Sequence, residues 1–224
     1  MQNKVNIESK LTHIKNTWLK QITKELTCMD VDIHQMHILF VAYKNSNRLE
    51  LYVKNLQEDA YKLLKYFPIT KQSGLLGPKL KEGDLQVPEG FYFIDIFNPD
   101  SKYHLSLRIN YPNELDHSLH RTGSSIYLHG GHESKGCLAV GDTAIEEIYL
   151  FALFAKENGQ EHIPVYIFPF PLTSENLTEF GNNTTHENIL FWKNLQEGYL
   201  QFMSSKKELK LSIQEGKYLF PSSF

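Results

Sequence analysis

A mostly β fold with flanking helices (α+β) is predicted by three features of the sequence. Apolar residues recur at helical spacing near the N-terminus. The middle of the chain is a succession of short β-branched and aromatic runs separated by turn residues. Helical spacing then returns toward the C-terminus. At 224 residues the chain is long enough to bury a sizeable core, and one domain with decorations is expected.

Ile7, Leu11, Ile14, Trp18, Ile22 and Leu26 recur every three or four positions and predict an amphipathic helix over 5–26. Its other face mixes Lys, Glu and Asn without basic enrichment, so the stripe reads as a docking face and not a membrane anchor. From His37 the period changes. Strands are expected at 37–43 and 48–54 around the turn Asn45-Ser46-Asn47, with a third at 61–69. A turn-rich loop covers 73–84, and Pro88-Glu89-Gly90 introduces a strand at 91–97, followed by an alternating strand at 103–110. Short strands at 126–129 and 137–140 flank a Gly-rich turn. Asp142 is expected to cap a helix reaching about Asn158, with Gly159 as its stop. A final strand at 164–169 and a long helix at 188–203 complete the series. There is no internal repeat, low-complexity tract or interdomain linker.

A hydrophobic share of 41% and a charged share of 22% are ordinary for a globular protein. A net charge of −3 with no Lys/Arg block excludes a nucleic-acid footprint. No segment approaches the apolar length of a transmembrane span. The first ten residues are polar and hold no export core, which leaves a cytosolic site, a trimmed signal and another export route all open. Cys28 and Cys137 are read as free thiols, because pairing them would consume the one candidate nucleophile.

That nucleophile lies in the stretch Ser125-Ile-Tyr-Leu-His-Gly-Gly-His-Glu-Ser-Lys-Gly-Cys-Leu-Ala-Val140. A cysteine after a glycine, an imidazole eight residues before it and a Gly-rich turn are the parts of a thiol nucleophile, its proton acceptor and an oxyanion site. Imidazole beside thiol is expected to lower the Cys137 pKa. The amides of Lys135, Gly136 and Cys137 are candidate oxyanion donors, and the Gly130 carbonyl is a candidate to orient His129. Two rivals stand beside this reading. One makes Cys137 a small buried hydrophobe and His129 a satisfied core histidine. The other is a metal site of His129, His132 and Cys137, which lacks an obvious fourth ligand. The clustering with glycines favours the nucleophile.

The pattern Ile126-Tyr-Leu-His-Gly130 followed by Ser134-Lys-Gly-Cys137 resembles the YkuD-type L,D-transpeptidase catalytic domain, and within it the YafK-like branch. Further matching stretches run in order: Ser73-Gly, Leu76-Gly-Pro-Lys-Leu-Lys-Glu-Gly-Asp84, Pro88-Glu-Gly-Phe-Tyr92, Tyr103-His-Leu-Ser106, Tyr111-Pro-Asn113, Arg121-Thr-Gly123, Ile145-Glu-Glu-Ile-Tyr149 and Val165-Tyr-Ile-Phe-Pro-Phe170. The likeness spans roughly residues 37 to 200. It implies a YkuD-like mixed β-sandwich catalytic domain at 37–172, an N-terminal helical extension at 1–36 and a C-terminal helical extension at 173–224 packed on it.

By position, the resemblance makes Cys137 the nucleophile, His129 the base with the Gly130 carbonyl orienting it, and Ser134 and Gly136 the turn that shapes the oxyanion hole. A short His-to-Cys gap and Lys135 in place of a histidine depart from the wider family, and His132 receives no role. The implied activity is cysteine acyl transfer on peptidoglycan stem peptides, at the carbonyl of the diaminopimelate L-centre, by transpeptidation or by hydrolysis. It uses no cofactor or metal, and the cell envelope or periplasm is the expected place. The alternatives are a catalytically silent peptidoglycan-binding module and a secreted wall-targeting toxin of the same fold.

Three further residues are substrate-binding candidates. Arg121 is placed to grip a carboxylate, or else to form a structural ion pair. His104 and Asn110, an even number of positions apart, should share a strand face. Lys79 and Lys81 read as solvated loop charges, and Tyr92 as core.

Overall fold

The N-terminal stripe forms a helix whose buried side is the predicted one, with Ile14, Ile22 and Leu26 inside and Leu11 and Trp18 partly covered. The computed structural model describes residues 2–221; Met1 and residues 222–224, the outer ends of the two expected extensions, lie outside the described residues. In chain order the elements are α1 (Gln2–Thr27), β1 (Met36–Tyr43), β2 (Arg48–Asn55), β3 (Lys62–Pro68), β4 (Gly90–Ser101), β5 (His104–Ile109), α2 (Glu114–Ser118), β6 (Tyr127–His129), β7 (Leu138–Ala139), α3 (Asp142–Glu157), β8 (Ile163–Phe168), α4 (Ser174–Gly181), α5 (His186–Ser205), β9 (Ser212–Gln214) and β10 (Lys217–Leu219).

The α+β class is as expected, and its layers come from one continuous sheet. Eight strands run in the order β3-β2-β1-β8-β4-β5-β6-β7, with β1/β8 and β6/β7 parallel and the remaining neighbours antiparallel. The sheet curls until its two margins meet. Just past β3, Thr70 N–H donates to the Ala139 carbonyl at 2.8 Å, and Ala139 N–H donates to the Lys71 carbonyl at 3.0 Å.

Strand β1 is apolar on both sides and shows why each face must be covered. Ile38, Phe40 and Ala42 join α3 and α1 in one core; Leu39, Val41 and Tyr43 join Trp192, Leu195, Tyr199 and Phe202 of α5 in another. Lys65 on β3 pins the helices of the first face, reaching Glu25 of α1 at 2.8 Å and Glu147 of α3 at 2.6 Å. No helix among the described residues is long and apolar enough to cross a membrane.

Two expectations need correction. Strand 164–169 is not the last, because β9 and β10 form a hairpin beyond α5. Asp142 does not cap α3: Gly141 holds the cap position with no side-chain bond, and Asp142 is the first helical residue. Its carboxylate accepts instead from the Gly131 amide at 2.7 Å, so it ties the Gly-rich turn to the helix.

Candidate active site

The strand register collects the candidate residues before any side-chain contact is considered. Asn98 pairs with Ser106, Ser106 with His129, and His129 with Ala139, so one row crosses β4, β5, β6 and β7. Cys137 lies two positions before Ala139 and therefore faces the same way as the row. Asn98, Ser106, His129 and Cys137 all line one cleft of about 370 Å³, with Lys102 and Tyr103 from the β4–β5 turn and Lys135 from the turn before β7.

His129 is 1% exposed. Its Nδ1 lies 2.6 Å from the Gly130 carbonyl oxygen, which only accepts, so Nδ1 carries the proton and Nε2 keeps a free lone pair. The ring lies on Tyr103 with centroids 4.5 Å apart and planes 25° from parallel. Burial lowers its pKa, the Gly130 bond opposes that, and the Lys102 charge lowers it again; the net is below the ordinary histidine value. At neutral pH the imidazole is the basic form. Gly130 has no room for a side chain, since a Cβ there would sit 2.6 Å from both Asp142 Oδ1 and the Tyr103 carbonyl oxygen.

Cys137 is half-buried, and its thiol donates to the Ser125 carbonyl at 3.6 Å. The expected depression of its pKa is not found. Burial pushes the thiol up, and the Tyr127 amide with the Lys79 and Lys102 charges only partly offsets this. At rest the cleft is lined by a neutral thiol and a neutral imidazole.

The turn before Cys137 is held by hydroxyls. Ser134 Oγ donates to the Cys137 carbonyl at 2.7 Å, and Gly136 N–H donates to Ser73 Oγ at 2.7 Å. Ser73 in turn donates to the Leu85 carbonyl at 2.8 Å and lies 3.2 Å from Ser134 Oγ. This corrects one assignment: the Gly136 amide is taken by Ser73 and is not an oxyanion donor. Gly136 is glycine because φ is 102° and a Cβ would press to 2.9 Å from the Gln86 carbonyl.

Buried charges anchor the loop that brings Ser73 here. Lys44 Nζ reaches Glu89 at 2.9 Å and the carbonyls of Gly77 and Val87 at 2.8 and 3.0 Å. Glu89 also accepts from the Gly77 amide at 2.7 Å and from Trp192 Nε1 at 2.8 Å. Lys79, expected to be solvated, is buried and paired with Asp84 at 2.6 Å. Burial pushes the Asp84 carboxyl up, but Lys79 and the amides of Lys81, Gln86 and Leu80 outweigh it and hold the pKa at about 2.

The three substrate-binding candidates do not line this cleft. Arg121 forms the structural ion pair: it is buried, bonds Asp116 at 2.9 Å and lies over the Phe191 ring. His104 has a left-handed φ of 68°, which breaks the strand alternation, and its Nε2 lies 2.8 Å from Glu146 on α3. Asn110 Oδ1 accepts from the Phe93 amide at 2.7 Å. Tyr92 is core, with its hydroxyl 3.1 Å from Asp116 Oδ2. Among the described residues no three His, Cys, Asp or Glu side chains come together as a metal site. Tyr103, Ser106 and Ser73 were not singled out from the sequence for the places they take here. The β5/β6 pairing marks Ser106 as the neighbour of His129, and no linear spacing marks the other two.

The family model of the YkuD L,D-transpeptidase catalytic domain matches residues 30–167. YafK of Escherichia coli (strain K12), an L,D-transpeptidase by name, is 35% identical over 179 residues, covering 79% of this chain and 71% of that one. Among solved structures, the helical cell shape determining protein Pgp2 from Campylobacter jejuni overlays with a TM-score of 0.49 at 18% identity, covering 81% of this chain and 74% of that one. Bd1075 of Bdellovibrio bacteriovorus overlays with a TM-score of 0.44 at 17% identity, covering 79% and 74%. By the family match and the extent of the identity with YafK, this chain belongs to the YkuD family of L,D-transpeptidase catalytic domains.

Proposed function

We propose that the chain is a cysteine-dependent acyltransferase acting on peptidoglycan stem peptides, with residues 37–172 as its catalytic domain and residues 1–36 and 173–224 as its N-terminal and C-terminal helical extensions. The observation that carries this is the shared cleft: His129, its proton fixed on Nδ1 by Gly130, faces the space that Cys137 lines. As substrate arrives, the Cys137 thiol gives its proton to His129 Nε2 while sulfur bonds to the diaminopimelate L-centre carbonyl carbon. The oxyanion is held by the Cys137 amide, with the Lys135 amide as its neighbour; Ser134 and Ser73 shape the turn that aims them. Collapse breaks the C–N bond, and His129 returns the proton to the departing D-alanine amine. An amine or a water then attacks the thioester, regenerating the thiol. The reading places the protein in the cell envelope, where its polymer lies.

The test is incubation with purified stem tetrapeptide, alone and with an amine acceptor, followed by mass spectrometry. Released D-alanine without a cross-linked product identifies hydrolysis; a new amide identifies transpeptidation. Cys137→Ala is expected to abolish both, and product from that variant refutes the proposal. The pH profile follows from the site. His129 must be neutral to accept the proton and titrates below the ordinary histidine value of 6.5, so the rate should hold down to that pH and fall only below it. An acid limb centred above pH 6.5 contradicts the neutral-pair mechanism.

A further inference from the structure

A continuous run of contacts joins the N-terminal helix to the His129 imidazole. Lys10 on α1 donates to the carbonyls of Pro99 and His104 at 3.1 and 2.6 Å. Those carbonyls bracket the β4–β5 turn, which closes at the Ser101/His104 pair and carries Tyr103. Two turns further along α1, Trp18 Nε1 donates to Glu146 Oε2 at 3.0 Å, and Glu146 Oε1 holds His104 Nε2 at 2.8 Å. The left-handed φ of 68° at His104 is unusual for a residue with a side chain, and these contacts keep it there.

Held at its base, the turn lays Tyr103 flat on His129, 4.5 Å between centroids, and the Tyr103 hydroxyl lies 3.2 Å from Glu133 Oε2. The Gly130-Gly131 pair makes space for it. A Cβ at Gly130 would stand 2.6 Å from the Tyr103 carbonyl oxygen, and one at Gly131 3.3 Å from its ring. An imidazole tethered only at Nδ1 keeps the freedom to swing about that bond, and a flat ring against its face removes this freedom.

We infer that Tyr103 is a positioning residue for the His129 imidazole, and that α1 acts on the site through Lys10 by fixing the turn that carries Tyr103. The catalytic consequence rests on the proposed role of His129 as proton acceptor; the positioning itself does not.

The test pairs nitrogen NMR of the His129 ring with kinetics. Wild type should show one neutral tautomer with the proton on Nδ1. Tyr103→Leu and Lys10→Met should give a mixture of tautomers, while Tyr103→Phe, Lys10→Arg and the exposed-face control Lys20→Met keep the wild-type signal. Tyr103→Leu should lower kcat about tenfold with KM little changed, the size of effect that a small misplacement of a catalytic group produces. Circular dichroism shows that each variant is folded. An unchanged single tautomer in folded Tyr103→Leu and Lys10→Met overturns the inference, whatever the rates. A shifted tautomer together with full activity in His129→Ala upholds the positioning and refutes the base role instead.

Discussion

The two chemical halves of the cleft are held by different means. On the His129 side the direct bonds are main-chain, from Ser106 on one flank, Ala139 on the other and the carbonyl of the very next residue on Nδ1, with the Tyr103 ring laid against the imidazole face. On the Cys137 side they are side-chain and distant. A turn ahead of a two-residue strand is clamped by Ser134 and by Ser73, 63 positions away from the amide it binds, and the Ser73 loop depends on the Lys44–Glu89 and Lys79–Asp84 pairs. Main-chain pairing survives most changes of side chain, whereas a hydroxyl or carboxylate hub is lost with one substitution. The turn carrying the nucleophile is therefore open to disturbance through several side-chain hubs, whereas the imidazole is reached from a distance through the turn that carries Tyr103.

The largest expected effect is at Glu89, which is 0% exposed. Glu89→Ala leaves the Lys44 ammonium and the Trp192 indole without their partner and should cost about 3–5 kcal/mol in urea unfolding, the range for breaking a buried pair. A loss near zero means that the loop is held by something else. Next is Gly130→Ala on the imidazole side, where the added methyl meets Asp142 and the Tyr103 carbonyl. The turnover rate should drop on the order of a hundredfold, as for a shift of about 1 Å at the chemistry; a rate near wild type would show that the main chain at Gly130 yields without moving the imidazole. The smallest is Ser73→Ala, which removes the acceptor of the Gly136 amide and should cost about 1 kcal/mol of stability. Ser73→Thr, which keeps the hydroxyl, should recover it, and equal losses in both would show that bulk and not the bond matters.

The same contrast explains what the sequence discloses. The helix of Ile14, Ile22 and Leu26, the β1/β2 hairpin and α3 declare themselves through period and turn residues, because each is a local pattern with a buried side. So does the His-Gly pair, whose orienting bond runs from the imidazole to the carbonyl of the very next residue. Helix α2, five residues capped by Asn113 and Asp116, is too short for a periodic signal, and the β9/β10 hairpin has one buried residue, Tyr218. Lys79 looks like a free cation in the sequence because Asp84 becomes its partner only once the loop folds, and the choice between the two readings of Arg121 is made only when α2 presents Asp116 to it. His104 misleads for another reason: one left-handed residue reverses which side of the strand its ring takes. The thiol pKa is likewise out of reach of any motif, since burial and not the neighbouring imidazole decides it.

The junction of Thr70 and Lys71 with Ala139 has a consequence for how a ligand is recognised. An open margin beside β7 would offer an extended peptide a template for strand addition, register and all. Here that template is already occupied by the chain itself. Selectivity then falls to the functional groups lining the cleft and not to the main-chain register of a bound strand.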